Sequence, residues 1–492
     1  MAFFSVQKNQ LCLVNENHSP MLNEKLVSVA PVVAALVAFL SVSTMLRIPG
    51  LPIGVSELVV LFLAMVLIVR SKFLPHFKHP LMVFWVFFIV TALAGFITGS
   101  ERGEGWVYTG AAYLYVACFT MVVLGCAADL ERYEFHRYIR AMVTIPVFLL
   151  FIPLSLFFSG DIWLSGRLGV NTDFYPSRVA AWSVNPNQLA LFLLPLPFWL
   201  AAISQAQHWS KVRIVKMFVF LWFLFFLGFC VRSDALLLAW CIGIPVLTVL
   251  VSCWLKNINW RFFTTMLMAF LLAFVFFKCF FDGVGQPFFD TVQTQIKSLS
   301  SDPVIRVDQV KNGVFEQSIQ TENHLDKAGH EFDGNGVSRQ YAVSQTDPVA
   351  PAFGRSDSAF GVGLDPNKVD VRKALWVHAL DVWKLSPIFG HGPGAFSYLD
   401  ISGQKHEAHN LLLDMLTQVG VVGVALFGVM FLWLVAGAVK ARDPFSLVLL
   451  LALIVFSGAH FILRQPVFMM YLVITAVAIE KRFFVLMNAS RQ

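Results

Sequence analysis

His409, a glycine-rich turn and a few isolated arginines are the residues of this sequence that could do chemistry together. His409 stands just ahead of a long apolar run that begins near Leu411, with Asn410 beside it as a candidate helix cap. In the first turn of a helix its ring would feel the positive end of the helix dipole, which disfavours imidazolium and keeps the neutral form that a general base requires. Upstream, Gly390, Gly392 and Gly394 are separated by His391 and Pro393. Glycines at that spacing permit positive φ and close backbone approach, so successive N–H groups could form a concave anion site. Arg372 shares a helical face with Trp376, Ala379 and Trp383. That face would hold its guanidinium against a membrane surface, where a lipid diphosphate would lie.

Each residue also has a plainer reading. A histidine at a membrane interface can simply cap a helix, such a glycine spacing usually makes a tight turn, and an arginine beside tryptophans often reaches for lipid headgroups. Arg232 lies between two apolar runs, in Cys230-Val231-Arg232-Ser233-Asp234. An unpaired guanidinium is expensive at that depth, so a salt bridge to Asp234 competes with any ligand role. Arg167 and Arg178 precede Asn185-Pro186-Asn187-Gln188, which is most simply a turn and helix start. Glu407 and Asp414 are placed to orient His409 or an acceptor hydroxyl, although carboxylates at helix starts are commonly caps. His406 is near enough to take part, His391 can do no more than shape the turn, and His460 falls within an expected span.

The elements that must position these residues are membrane helices. With 57% hydrophobic residues, 13% charged residues, 49 Phe among 492 residues and a mean hydropathy of +0.70, the chain has too little polar surface to be water-soluble. The net charge of +6 is modest, and no basic cluster interleaved with aromatics suggests nucleic acid. Seven cysteines (Cys12, Cys118, Cys126, Cys230, Cys241, Cys253 and Cys279) lie almost wholly in apolar runs without C-x-x-C spacing. They read as small buried hydrophobes, so neither a disulfide nor a metal site is inferred, and no cofactor is expected.

The sequence predicts an all-α polytopic membrane protein of about twelve spans, near residues 26–46, 52–69, 81–98, 107–128, 141–158, 187–203, 217–231, 235–255, 262–281, 411–439, 445–461 and 466–479. Several are shorter than the roughly 20 residues that cross hydrocarbon squarely. The first is a retained helix rather than a cleaved signal, because a polar stretch of mixed charge precedes it. Residues 1–25 and 483–492 are expected as cytoplasmic tails, 26–281 as nine spans, 282–408 as one large outer loop, and 409–482 as the last three spans. With both termini cytoplasmic, the basic clusters fall inside, and Arg47, Arg102, Arg167, Arg178, Arg232 and Arg464 stand singly in outer turns. Within the loop, residues 317–368 are too polar to bury a core, whereas 286–296 and 372–385 have the apolar spacing of interfacial helices.

The run Arg372-x-x-x-Trp376-x-x-Ala379-Leu380, then Ser386 through Phe396, then His409-Asn410-Leu411-Leu412 and Gly420-x-x-Gly423, resembles the O-antigen ligase and O-antigen polymerase superfamily. Arg167-Leu168-Gly169 with Asn185-Pro186-Asn187, and Arg232 before Ser233, are similar to its two weaker elements, with Val231 standing where the family has a serine.

The resemblance implies a metal-independent, inverting glycosyltransferase of the membrane-embedded GT-C type, in a bacterial inner membrane with its site on the periplasmic face. It implies a polyprenyl (undecaprenyl) diphosphate-linked glycan as donor. The acceptor would be a second glycan or lipid A core, and a chain-length regulator is an expected partner. His409 would take the acceptor proton, while Arg372, Arg232, Arg178 and Arg167, with Gly392 and Gly394, would hold the diphosphate; Asn410, Glu407 and His406 would support them. The chemistry agrees, since displacement at an anomeric carbon needs a base on the acceptor and fixed positive charge on the departing phosphate. Polymerisation of repeat units is favoured over ligation to core lipid or transfer to a secreted protein, because the long polar stretch could cover a growing chain. A lipid-linked glycan flippase is the competing class, but its polar groups should lie near mid-membrane rather than on one side.

Overall fold

The computed structural model describes residues 36–43, 45–46, 54–69, 76–100, 106–128, 130–174, 177–205, 210–255, 260–281, 368–395, 398–399, 405–406 and 408–481. They are almost entirely helical. Residues 36–42 close the first expected span. There follow α1 (Val55–Val69), α2 (Pro80–Thr98), α3 (Trp106–Ala128), α4 (Arg132–Leu149), α5 (Phe151–Ser159) and α6 (Ile162–Arg167). Next come α7 (Pro186–Leu193), α8 (Leu196–Gln205), α9 (Lys211–Val231), α10 (Asp234–Trp254) and α11 (Trp260–Phe281). After the outer loop stand α12 (Lys368–Leu385), the two-residue antiparallel strands β1 (Tyr398–Leu399) and β2 (Lys405–His406), and then α13 (Leu411–Ala441), α14 (Pro444–Ser457) and α15 (Pro466–Glu480).

Among the described residues, eight helical stretches are long and apolar enough to cross a membrane, and three shorter apolar helices accompany them. The chain is therefore an all-α polytopic membrane protein. Several spans are interrupted where the sequence dictates. Pro146 lies in α4 and the helix resets at Leu150 before α5, and the stretch 186–204 breaks between α7 and α8. The 31 residues of α13 include Gly420 at φ 60 and ψ −166, a non-helical residue that breaks the i→i−4 ladder. His460 lies beyond the end of α14 rather than inside a span, because α14 closes at Ser457 with Gly458 as its C-cap.

The core is a set of helix pairs: α9 with α11, α10 with α14, α13 with α2, and α3 with α15. Large aromatics fill the seams. Trp85, Phe88 and Tyr113 cluster between α2 and α3, and Trp199 meets Tyr471 edge-on at 5.2 Å. Their polar atoms are satisfied, with Trp85 Nε1 donating to Thr120 Oγ1, Trp240 Nε1 to the Leu194 carbonyl and Tyr471 Oη to the Phe192 carbonyl. At one end of the bundle, His79 caps α2 and contacts Glu480, while Lys481 Nζ donates to the Ala128 and Leu130 carbonyls. The opposite end collects the start of α13, the C-terminal end of α2, the α9–α10 turn and the α14–α15 loop.

The interfacial helix expected over 372–385 forms, but its buried stripe is not the expected one. Leu375, Ala379 and Val382 face inward, whereas Trp376, Val377 and Leu380 stay exposed. The helix packs on α13, and Leu375, Ala379 and Val382, spaced four and then three residues apart, form a seam narrow enough for that contact. The larger tryptophan stripe is left turned outward, as suits an interface. The segment 286–296, the polar stretch up to residue 367, and Glu407 lie outside the described residues.

Candidate active site

The glycine-rich turn after α12 is wedged between two helices. His391 N–H donates to the Thr417 carbonyl and Gly392 N–H to the Gln418 carbonyl, while Val421 and Val422 N–H donate back to the Pro387 and Ile388 carbonyls. The break at Gly420 makes this exchange possible, because it frees carbonyls and amides of α13 that an unbroken helix would use internally. A Cβ on Gly420 would overlap the Ile388 carbonyl. On the other side the turn rests on Gly95 and Gly99 of α2, where a Cβ on Gly99 would come within 2.5 Å of His391 Cα. Gly392, at φ 90, lies so near that a Cβ would stand 2.6 Å from Phe96 Cα.

This geometry corrects the expected anion cradle. Gly390 N–H donates to the Ser386 carbonyl, Gly392 N–H to Gln418, and Gly394 N–H to Gln418 Oε1 at 3.3 Å. Gln418 Oε1 also accepts the Tyr113 hydroxyl at 2.6 Å. The N–H groups of Gly392 and Gly394 are thus committed to lacing the turn onto α13; glycine is demanded by close approach at Gly392 and by a positive φ of 77 at Gly394. His391 is wholly buried, with Nε2 donating to the Val382 carbonyl at 2.8 Å, and so locks the turn to the end of α12.

The turn holds α13, and α13 holds His409. His409 lies one residue before the N-cap rather than in the first helical turn, and it adopts φ 52, a left-handed conformation that costs a non-glycine residue about 1–2 kcal/mol. Asp414, buried one turn into α13, sustains it: Oδ1 accepts the Ala408 N–H at 2.9 Å and Oδ2 the Asn410 N–H at 3.0 Å. One carboxylate therefore grips the backbone on both sides of the histidine. Asn410 Oδ1 caps Leu412 and Leu413 N–H, while its Nδ2 donates to the Gly458 carbonyl. Trp376 Nε1 donates to the Ala408 carbonyl at 3.1 Å. Arg372 lies in α12 one turn before Trp376.

The second cluster forms at the α9–α10 turn. Arg232 takes φ 52 as the C-cap of α9 and is half-buried, its guanidinium 5.8 Å from the Phe277 ring. Arg178 reaches the same turn, donating from Nε to the Val231 carbonyl and from Nη2 to Asn187 Oδ1 at the start of α7. Burial first, and also repulsion from Arg178, draw Arg232 down to about 10 from its ordinary 12.5, against an opposing effect of Cys230. The expected salt bridge to Asp234 is not what holds this arginine: no carboxylate is among the charges acting on it. Arg167 does not join the pair; it is exposed and stacked 4.0 Å over Trp163 on α6. Asn185 caps α7 by accepting the Gln188 N–H, as the Asn-Pro-Asn reading expects.

The helix register links the two clusters. Gly243 of α10 faces Val448 of α14, where a Cβ would lie 3.4 Å from Val448 Cγ1. Gly243 stands nine residues from the start of α10 and Val448 nine from the end of α14, about 13 Å in each case. Arg232 and Gly458 therefore emerge at one level, and Gly458 is the partner of Asn410. Sequence reasoning missed three elements here: the Gly95-x-x-x-Gly99 seat, the Gln418–Tyr113 bond and the Gly458 contact. The first has a visible small-x-x-x-small signal, and the polar pair Thr417-Gln418 inside an apolar run marks the second; the third has none.

Residues 218–428 match the family model described as O-Antigen ligase, a range that includes Arg232, Arg372, His409 and Gly420. No curated protein matches the chain.

Proposed function

We propose that the chain, whose residues 218–428 match the O-antigen ligase family model, is a membrane glycosyltransferase of the O-antigen ligase and polymerase superfamily that transfers a glycan from a polyprenyl diphosphate carrier to a sugar hydroxyl on the periplasmic face of a bacterial inner membrane. The observation that carries this reading is the His409 turn, held in a strained conformation by Asp414 and flanked by α12 with Arg372. Strain of this kind persists where the surrounding bonds over-determine it, as the Asp414 carboxylate does here.

In the proposed step His409 accepts the proton of the acceptor hydroxyl as its oxygen attacks the anomeric carbon. A new glycosidic C–O bond forms with inversion as the bond to the carrier phosphate breaks. The electron pair leaves on the polyprenyl diphosphate, whose charge Arg232 and Arg372 hold. Guanidinium suits that task because it is permanently charged and binds phosphate through two parallel N–H groups, which lets arginine stand where other transferases use a divalent cation. Arg178 fixes the Arg232 turn and adds positive charge beside it, and Arg167 on its exposed tryptophan contributes at the membrane surface.

The proposed acceptor is a second lipid-linked repeat unit, so that the product is a lengthening surface polysaccharide. Purified protein in nanodiscs, given a polyprenyl-diphosphate glycan with and without core lipid, tests this. A ladder of lipid-linked chains without core lipid supports polymerisation, whereas product only with core lipid assigns ligation. His409→Ala is expected to abolish product in either case while retaining donor binding and melting temperature. Normal turnover in that variant removes His409 from the role of base.

A further inference from the structure

The loop between α14 and α15 contributes nothing to the reading so far, and the matched domain ends at residue 428, well before it. Yet Asn410, the residue after His409, donates from Nδ2 to the Gly458 carbonyl at 3.0 Å, so this loop forms a wall of the His409 turn. The wall is rigid at its base. Phe461, Ile462 and Leu463 are buried, and the Gln465 N–H closes back on the Ile462 carbonyl before α15 begins. Two half-exposed residues rise from that base. His460 packs its ring against Phe456 at 4.9 Å, and the Arg464 guanidinium lies 5.5 Å from the centre of the Phe461 ring. An arginine braced on a buried aromatic loses less freedom on binding than one on a free stem, and it presents a fixed fork to an oxygen anion.

We propose that Arg464, with His460 beside it, is an additional anion-binding station of the site that takes the phosphate of a lipid-linked substrate at the His409 turn. Transfer between two membrane-anchored molecules brings two phosphate-bearing lipids to one histidine, because both a lipid-linked repeat unit and a core lipid carry phosphate near the bilayer. The Arg232–Arg178 cluster and the Arg464 loop emerge at the same level, on helices that pack against each other. The station is thus carried by the loop that bonds Asn410, the residue after His409. The identity of the two substrates rests on the transfer reading; the anion site does not.

The test uses the full-length protein in nanodiscs with Arg464→Ala, Arg464→Gln and Arg464→Lys. Arg464→Gln keeps the stem over Phe461 and removes the charge, so it serves if Arg464→Ala melts early. Donor and acceptor are varied in turn, and binding of glycan-free polyprenyl diphosphate is measured separately. Loss of charge at Arg464 is expected to raise KM for one lipid substrate about tenfold or more with kcat within about twofold, and Arg464→Lys to recover part of it. A raised donor KM with weaker polyprenyl diphosphate binding assigns the station to the donor. A raised acceptor KM with unchanged donor binding assigns it to the acceptor. Unchanged KM for both, at a wild-type melting temperature, overturns the proposal. Should no transfer be detected with the wild-type protein, binding alone decides, measured separately with polyprenyl diphosphate and with core lipid: weaker binding of either in the charge-removed variants upholds the station, and equal binding of both rejects it.

Discussion

Asp414→Asn isolates what the clamp on His409 is worth. Both carboxylate oxygens accept backbone N–H groups, from Ala408 at 2.9 Å and Asn410 at 3.0 Å, in a site with no exposure to solvent. An asparagine keeps one acceptor but turns an amide NH2 toward the other N–H, removing one charge-assisted bond and leaving a buried donor unsatisfied. The loss is about 1.5–3 kcal/mol. That is comparable with the cost of the left-handed backbone at His409, so the turn relaxes toward ordinary conformations. If the whole loss falls on the competent turn, kcat drops by roughly 10- to 150-fold at about 1.4 kcal/mol per decade. Donor KM is expected to stay near wild type, since Arg232 and Arg178 are held by other bonds. The assay is transfer in nanodiscs with saturating donor, beside a melting curve and a donor-binding measurement. A variant that melts like wild type and keeps kcat within about twofold refutes the clamp as the device that positions His409.

Gly392→Ala should lower thermal stability by about 2–4 kcal/mol, the sum of a left-handed alanine and the clash with the Phe96 backbone; an unchanged melting temperature in detergent removes the wedge from the account. Arg232→Lys keeps the charge and loses the fork, so donor binding should weaken although the variant folds; wild-type donor affinity assigns Arg232 to the helix turn alone. Asp443 offers a pH test at the opposite end of the bundle. It is buried at the start of α14 and accepts bonds from Phe445 and Ser446 N–H and the Ser446 hydroxyl, yet burial outweighs these and raises it to about 6 from 3.8. The folded protein binds this proton more tightly than the unfolded chain, so stability from this group is present below about pH 4 and is lost as pH rises through about 6, by roughly 3 kcal/mol. Asp443→Asn should therefore gain stability relative to wild type between pH 4 and pH 7, and a difference that does not change with pH contradicts the burial argument.

Much of the architecture is legible in composition and periodicity alone. Runs such as Pro80–Thr98 and Trp106–Ala128 are apolar all round because lipid or other helices surround them, so their existence and approximate length follow from hydropathy. The local signals at the site are equally readable. Asn410 as a cap and Asn185-Pro186 as a helix start need only the backbone geometry of one turn. The family resemblance is legible too, and the comparison supports it over residues 218–428.

What the sequence could not decide is which of two compatible roles each residue plays, because that depends on partners far along the chain. The glycines of the 390–394 turn suit an anion nest or a close contact equally well, and only the kink at Gly420 and the seat at Gly95 and Gly99 reveal that their N–H groups are taken. On local grounds Asp234 is the obvious partner for Arg232, but the fold sets Arg178 against it instead. Asp414 reads as a cap or an orienting partner for His409, and the tertiary structure adds a brace on the backbone either side of the histidine. Residue types and spacing determined that this protein is a membrane bundle with a histidine just ahead of a long helix and several arginines in its turns. Long-range packing, which no local period encodes, decided which of those groups are spent on structure and which are left for chemistry.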